Sequence, residues 1–443
     1  MIVNNYQKSI SLPSSWIIAL ILALCLPFIG GCTPGQENPA TVANLAPAWS
    51  SELIVTQAYQ NYAPALGSTP DGWVAVWVQG NQLAFRTIAA DGTLGAIITL
   101  PPVRQPWQPV LIPGTAGEWH LLWFDLDRYD EPRLYAALLQ ADGTLLRGPI
   151  TVTPEPASAA AIAPGDHGTV IIIWADTNAV PTLYGQRLDT QGRPNSGPPA
   201  IVAHNAENPM LNRLTDGTWV LGWLAFPDSP GQPSHSRTPT VSYAGGSLPW
   251  EQLLLTTTLG SVTLPPLTEY IEHTALGVDQ TNGYFFISTR SAETGQAQSS
   301  VLTFPLAESN PTISTIENLS LPATPPDTPA SVATGFNTGL ALPANNPPLF
   351  AVGWPIPLYG QTSVLPVAFN MTGQLVIGYL SAGEITGYQP LVTTNPILGA
   401  PGLWADRSRH LTVAGTTYPD ATNAPANLLL SSTNPEFRDA QTP

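Results

Sequence analysis

"VIIIWADTNAVPTLYGQRLDTQG", residues 170–192, runs four β-branched apolar residues into a Trp, loosens into a polar stretch, resumes as a second apolar run, and stops at a Gly-containing turn. Short apolar runs rich in Val, Ile and Tyr, bounded by Gly, Pro, Asn and Asp, read as β-strands. The same string recurs along the chain. "DGWVAVW" ends at Trp77, "GEWHLLW" at Trp123 and "DGTWVLGW" at Trp223. Weaker copies end at Ser288 ("NGYFFIS"), Trp354 ("PPLFAVGW") and Gly415 ("RHLTVAG").

Each good copy carries the same parts in the same order. A short strand such as "PVLIPG" leads through a tight turn to the apolar strand ending in Trp. A variable loop follows, then a third strand such as "RLYAALLQ". A second turn at "ADGT", "TQGR" or "MTGQ" leads to a fourth strand such as "PITVT". Asp-Gly and similar pairs between apolar runs are hairpin signals. Four hairpin-linked strands per roughly 50 residues is the period of a propeller blade. The expected fold is therefore all-β: a seven-bladed β-propeller of four-stranded antiparallel blades, with the Trp residues filling the gaps between blades. The last copy has no fourth strand of its own. "ELIVTQ", Glu52–Gln57, reads like the missing one, so the N-terminal strand is expected to close the last blade.

The copies at 117–153 and 168–203 resemble a repeat of secreted bacterial β-propeller proteins, in which a strand ending in Ala-Trp precedes one like "IYAQRLDADGNP". Here that second strand is "LYGQRLDTQGRP", Leu183–Pro194. The resemblance implies a WD40-like propeller outside the cytoplasm and leaves its activity open, because one fold hosts many functions.

The N-terminus carries an address. "WIIALILALCL", residues 16–26, is an apolar run too short to span a bilayer comfortably and suits a secretory signal. "IGGC", Ile29–Cys32, resembles a bacterial lipobox, which implies cleavage after residue 31 and lipidation, palmitate included, at Cys32. Residues 1–31 are thus expected to be a lipoprotein signal peptide, 32–49 a flexible tether and 50–443 the propeller. The expected location is the cell membrane or the outer membrane, with the chain lipid-anchored and facing out of the cytoplasm. Cys25 and Cys32 are the two cysteines, so the folded body holds neither a disulfide nor a cysteine metal site. Among 443 residues, 14 are basic and 30 acidic, for a net charge of −16, and Lys8 is the single lysine. A nucleic-acid partner would call for a basic stripe, and a P-loop or Schiff base for a lysine in the body. None of these is present, and a monomer is expected.

The six histidines show no metal-ligand spacing, and sialidase and quinone-propeller signatures are missing. One acidic string stands out after Trp123: "DLDRYDEPR". Asp125, Asp127 and Asp130 offer the hard oxygen ligands that Ca²⁺ accepts, and Arg128 and Arg133 offer internal pairing instead. No other cofactor is expected. The loops after the Trp strands and the crossovers between blades share one face, and binding groups usually sit on such variable loops. That face gathers Tyr59, Tyr62, Trp107, Asp125, Asp127, Asp130, Glu131 and Tyr270 as candidate ligand residues, with Trp107 as anchor. Aromatics beside carboxylates suit a protein or carbohydrate ligand. The function expected is a binding or scaffolding module, with a glycan-active propeller enzyme (glycosidase- or lyase-like) or an outer-membrane assembly scaffold as alternatives.

Overall fold

A computed structural model describes residues 53–58, 61–100 and 104–213 and, between 219 and 432, the strands. The described strands form seven antiparallel sheets, almost all built from consecutive strands in chain order. Blade 1 spans 61–99, blade 2 107–151, blade 3 157–204, blade 4 206–263, blade 5 269–318, blade 6 349–391 and blade 7 397–432. The first strands of consecutive blades touch one another, and the first strand of blade 7 touches that of blade 1, so they form a closed ring around the axis.

The middle strands show why the repeat requires a ring. In Gly72–Gln79 the residues Trp73, Ala75 and Trp77 pack with Val55 and Ala414 of blade 7. Their neighbours Val74, Val76 and Val78 pack with Leu111, Trp119, Leu121 and Trp123 of blade 2. Blade 3 repeats the division: Val170, Ile172 and Trp174 face blade 2, and Ile171 and Ile173 face blade 4. Because alternate residues of a strand point to opposite faces, a run apolar on every residue needs a neighbour on both sides. Trp77, Trp123, Trp174 and Trp223 all fill seams, and Trp77 is 0% exposed. Burying a side chain of that size contributes about 3 kcal/mol or more.

Glycine marks two close approaches in the seam between blades 1 and 2. A Cβ on Gly67 would lie 2.2 Å from the Trp119 ring, so the missing side chain lets the indole lie on the first strand of blade 1. Gly143, at φ +89°, closes an Asp-Gly turn of blade 2 directly against the Phe85 ring. In that turn Asp142 accepts the Thr144 N–H at 2.8 Å, as Asp91 accepts that of Thr93 in blade 1. These hydrogen bonds hold both carboxyls below the ordinary carboxylate range.

The N-terminal strand Leu53–Ala58 pairs antiparallel with Ala426–Ser432 and completes blade 7 as its fourth strand. Val55 is fully buried, and its carbonyl accepts a hydrogen bond from the Arg86 guanidinium of blade 1. One repeat differs from its reading in the sequence. Leu349–Val352, from "PPLFAVGW", is the first strand of blade 6, and Ser363–Met371 is the second. The "MTGQ" turn accordingly joins the second and third strands of that blade, not the third and fourth. An apolar run states that both faces are buried, which is true of either position, and so leaves its place in the sheet open. Trp354 lies outside the described residues.

Candidate functional site

The loop after the Trp strand of blade 2 stands over a cavity of about 520 Å³, lined by Arg104, Trp123, Asp125, Asp127, Arg128 and Tyr135. Its position follows from local sequence. Trp119–Leu126 and Pro132–Leu139 are a hairpin pair, and Trp123 stacks on Tyr135 with ring centroids 6.0 Å apart. The equivalent pair in blade 3, Trp174 and Tyr184, stacks at 5.9 Å. The stacked rings form a wall at the mouth of each loop, and the loop residues above it differ between blades.

In blade 2 the acids brace the backbone. Asp125 is 5% exposed and accepts N–H groups from Arg104 at 3.0 Å, Gln105 at 2.7 Å and Leu126 at 2.7 Å. It thereby pins the crossover arriving from blade 1. Asp127 accepts the N–H groups of Tyr129 at 2.7 Å and Glu131 at 3.1 Å, and the Arg133 guanidinium at 2.7 Å. Desolvation pulls the Asp127 carboxyl upward. Arg133 and the two N–H groups outweigh it and leave the group below the ordinary range. Arg133, pushed up chiefly by its bond to Asp127, also reaches the Pro154 carbonyl of the crossover leaving for blade 3, and it pairs with Glu131 at 3.2 Å. Arg104 closes the network: it pairs with Asp130 at 2.9 Å and donates to the Asp127 carbonyl. The loop is tied to both crossovers.

Asp125, Asp127, Asp130 and Glu131 are thus brought together, but their oxygens are engaged by N–H groups and guanidinium groups. Among the described residues, no group of three His, Cys, Asp or Glu is placed to hold a metal ion. The Ca²⁺ reading of Asp125, Asp127 and Asp130 therefore finds no support in their geometry. Trp107 begins the first strand of blade 2. It is half-buried, stacks on Phe124 at 5.6 Å and packs into the seam between blades 2 and 3. The strand that begins there sets the ring against the edge of the core, partly buried. Tyr62 lies in the first strand of blade 1, opposite Val78, and Tyr270 in the first strand of blade 5, opposite Arg290. Tyr59 and Cys32, with the signal peptide and tether, lie outside the described residues.

The group that sequence reasoning passed over is at the loop tip. Tyr129 is 65% exposed, and the Arg128 guanidinium carbon lies 4.7 Å from the centre of its ring. Asp127 holds the Tyr129 N–H, so the aromatic is presented on a fixed backbone. An adjacent Arg-Tyr in a loop was the available signal, hidden among four acids. Among the described residues, no helix is long and apolar enough to cross a membrane.

The ring of antiparallel sheets, all but one of them four-stranded among the described residues, defines the chain as a β-propeller. No family model and no curated protein matches the sequence. Solved structures similar to it include the WD40 domain of Toxoplasma gondii coronin, at 11% identity and TM-score 0.48, covering 88% of each chain. A Penicillium chrysogenum α-L-arabinanase complexed with arabinobiose is similar at 12% identity and TM-score 0.43, over 88% of this chain and 99% of that one. An α-L-arabinofuranosidase of Fusarium graminearum is similar at 10% identity and TM-score 0.48, over 86% of this chain and 97% of that one. At these identities the likeness is one of fold alone.

Proposed function

We propose that this chain is a lipid-anchored, extracytoplasmic propeller that binds a protein or glycan ligand through the loop face of blade 2. The observation that carries the reading is the exposed Arg128–Tyr129 pair held on a braced loop beside a cavity. Tyr and Arg supply much of the energy at binding surfaces, and fixing them in advance lowers the entropy cost of association. Hydrolysis of a glycosidic bond calls for two carboxyl groups free to act as acid and base or nucleophile. Asp125 and Asp127 serve the backbone and Arg133 instead, which favours binding over catalysis at this place. Lipidation at Cys32 would hold the propeller at the cell membrane or outer membrane as a monomer.

The test is a glycan array and a cell-envelope protein capture with the full chain in detergent, repeated with Tyr129→Ala and Arg128→Ala. Binding lost in either variant, with an unchanged melting temperature, supports the reading; binding retained in both rejects it. The alternative is a glycan-active enzyme. Arabinan-active enzymes stand among the similar structures, so arabino-oligosaccharides belong in the same screen. Release of reducing sugar, abolished by no substitution at Tyr129, would move the assignment there. For the anchor, Cys32→Ala is expected to move the protein from the detergent phase to the aqueous phase.

A further inference from the structure

The face opposite the loops carries the tight turns, and in blades 1, 2 and 3 the turn joining the third and fourth strands is built alike. Asp91 accepts the N–H of Thr93, Asp142 that of Thr144 and Asp189 that of Gln191, each at 2.8 Å. Each turn contains a glycine at positive φ, Gly92, Gly143 and Gly192. What the turns rest on differs. Gly143 of blade 2 lies against the Phe85 ring of blade 1. Gly192 of blade 3 lies over the imidazole of His120 in blade 2, where a Cβ would stand 3.5 Å from Nδ1. One turn is seated on a ring that never charges, the other on a ring that titrates.

His120 is fully buried, and its Nε2 lies 2.9 Å from the Gly168 carbonyl. A carbonyl only accepts, so in the neutral ring Nε2 carries the hydrogen and Nδ1 the lone pair. Nδ1 is buried and has no partner among the described residues. A buried lone pair facing Gly192 is a modest cost; a charged N–H at the same place, without an acceptor, is a large one. Ile112 and Leu138, on the paired strands beside His120, fix the ring. The turn over Nδ1 is therefore the part that can give way and admit water or the Asp189 carboxylate. The other turn of blade 3 at this seam, Asp166–Gly168, responds in the opposite sense. Charge on the ring strengthens the Nε2–H bond to the Gly168 carbonyl, and Gly168 also packs against Gly114 and Thr115 of blade 2.

Two acids near the ring, Glu118 and Asp189, favour its charged form, but burial outweighs them and holds it neutral near neutral pH. Arg147, opposite Leu138 on the fourth strand of blade 2, opposes the charge. Asp166, His167 and Arg193 in the two turns of blade 3 are exposed, and Arg187 pairs with Ile171 on the face toward blade 4.

We propose that the 189–193 turn of blade 3 is an acid-released latch on blade 2: protonation of His120 at Nδ1 lifts this turn from the seam, while the Asp166–Gly168 turn stays docked and the ring of blades stays closed. The device lies on the face opposite the loop assigned above and stands or falls independently of it.

Hydrogen exchange read by mass spectrometry, on the full chain in detergent and corrected for intrinsic rates, compares about pH 7 with about pH 5, on either side of the ordinary histidine value. A ring that regains its ordinary pKa once the turn lifts makes lifting more frequent in acid, so peptides spanning 189–193 should lose protection by about tenfold or more. The equivalent turns at 89–93 and 140–144 share the aspartate and not the histidine, and they should stay unchanged, as should 165–169. His120→Gln keeps a donor for Gly168 and takes up no proton, so its 189–193 turn should exchange alike at both pH values. His120→Phe, which copies the Phe85 seat, should do the same. The comparison of the three turns within the parent needs no variant and holds if either one fails to fold. An unchanged 189–193 turn at the lower pH, an equal loss at the other two turns, or a loss that persists in His120→Gln would each overturn the proposal.

Discussion

On the loop face of blade 2, Asp125, Asp127, Asp130 and Glu131 each hold an N–H or an arginine. On the turn face, between blades 1 and 2, Asp71 and Glu118 line a cavity that contains no base. The loop is the more acidic in sequence, and the turns look like mere connectors. In three dimensions the loop's acids brace the backbone, as Asp91 and Asp142 do in their turns, while Asp71 and Glu118 stand at the rim of a cavity. A carboxylate's neighbours in the chain do not reveal its role; the donors that the fold brings to it do.

The contrast is sharpest in stability, and the largest effect is expected at the turn-face seam. Trp119→Ala should lower the unfolding free energy by about 4 kcal/mol, because a nearly fully buried indole leaves a cavity beside Gly67. Urea unfolding measures it. A loss under about 1 kcal/mol would mean that the seam collapses to fill the space and that the floor of the cavity is soft.

Asp125→Ala should cost about 3 kcal/mol, since three backbone N–H groups lose their acceptor in a buried site. Asp71→Ala on the other face should stay within about 0.5 kcal/mol of the parent. Equal losses at the two positions would erase the distinction between bracing and spare acids.

Acid should act first through the turn side of the seam between blades 2 and 3. There His120 is fully buried, and its Nε2 meets the Gly168 carbonyl at 2.9 Å. Desolvation lowers its pKa, so the unfolded chain binds the proton more readily than the folded one. The stability His120 confers is complete above its unfolded value of about 6.5 and falls as the pH drops below it. Asp127, whose folded pKa is lowered, keeps its contribution down to the ordinary carboxylate value of about 4 and loses it below. Unfolding measured from pH 8 to 3 should show two declines, and His120→Leu should flatten the first. A single decline below pH 4 in the parent would show that the seam tolerates the charged ring.

The smallest effect on stability is expected at the loop tip. Tyr129→Ala should change the unfolding free energy by less than about 0.5 kcal/mol, because the ring is mostly in solvent. A large loss would make the exposed Arg128–Tyr129 pair a part of the frame and remove it as a presenting group.

The sequence by itself determined the repeat. Apolar runs with every residue hydrophobic demanded a neighbour on both faces, and the Asp-Gly turns set the hairpins. The incomplete last copy required a strand from elsewhere, and Leu53–Ala58 supplies it. These features are local, written in periods and turns that act over a few residues. Tertiary structure decided everything that depends on residues far apart in the chain. It made Leu349–Val352 a first strand, since an apolar run does not encode its order in a sheet. It stacked Trp107, half-buried, on Phe124 at the seam between blades 2 and 3. It brought the backbone of Arg104 and Gln105 to Asp125, turning a candidate calcium ligand into a brace. And it placed Asp71 and Glu118 around one cavity, although they belong to different blades, because two turns meet only when one blade packs against the next.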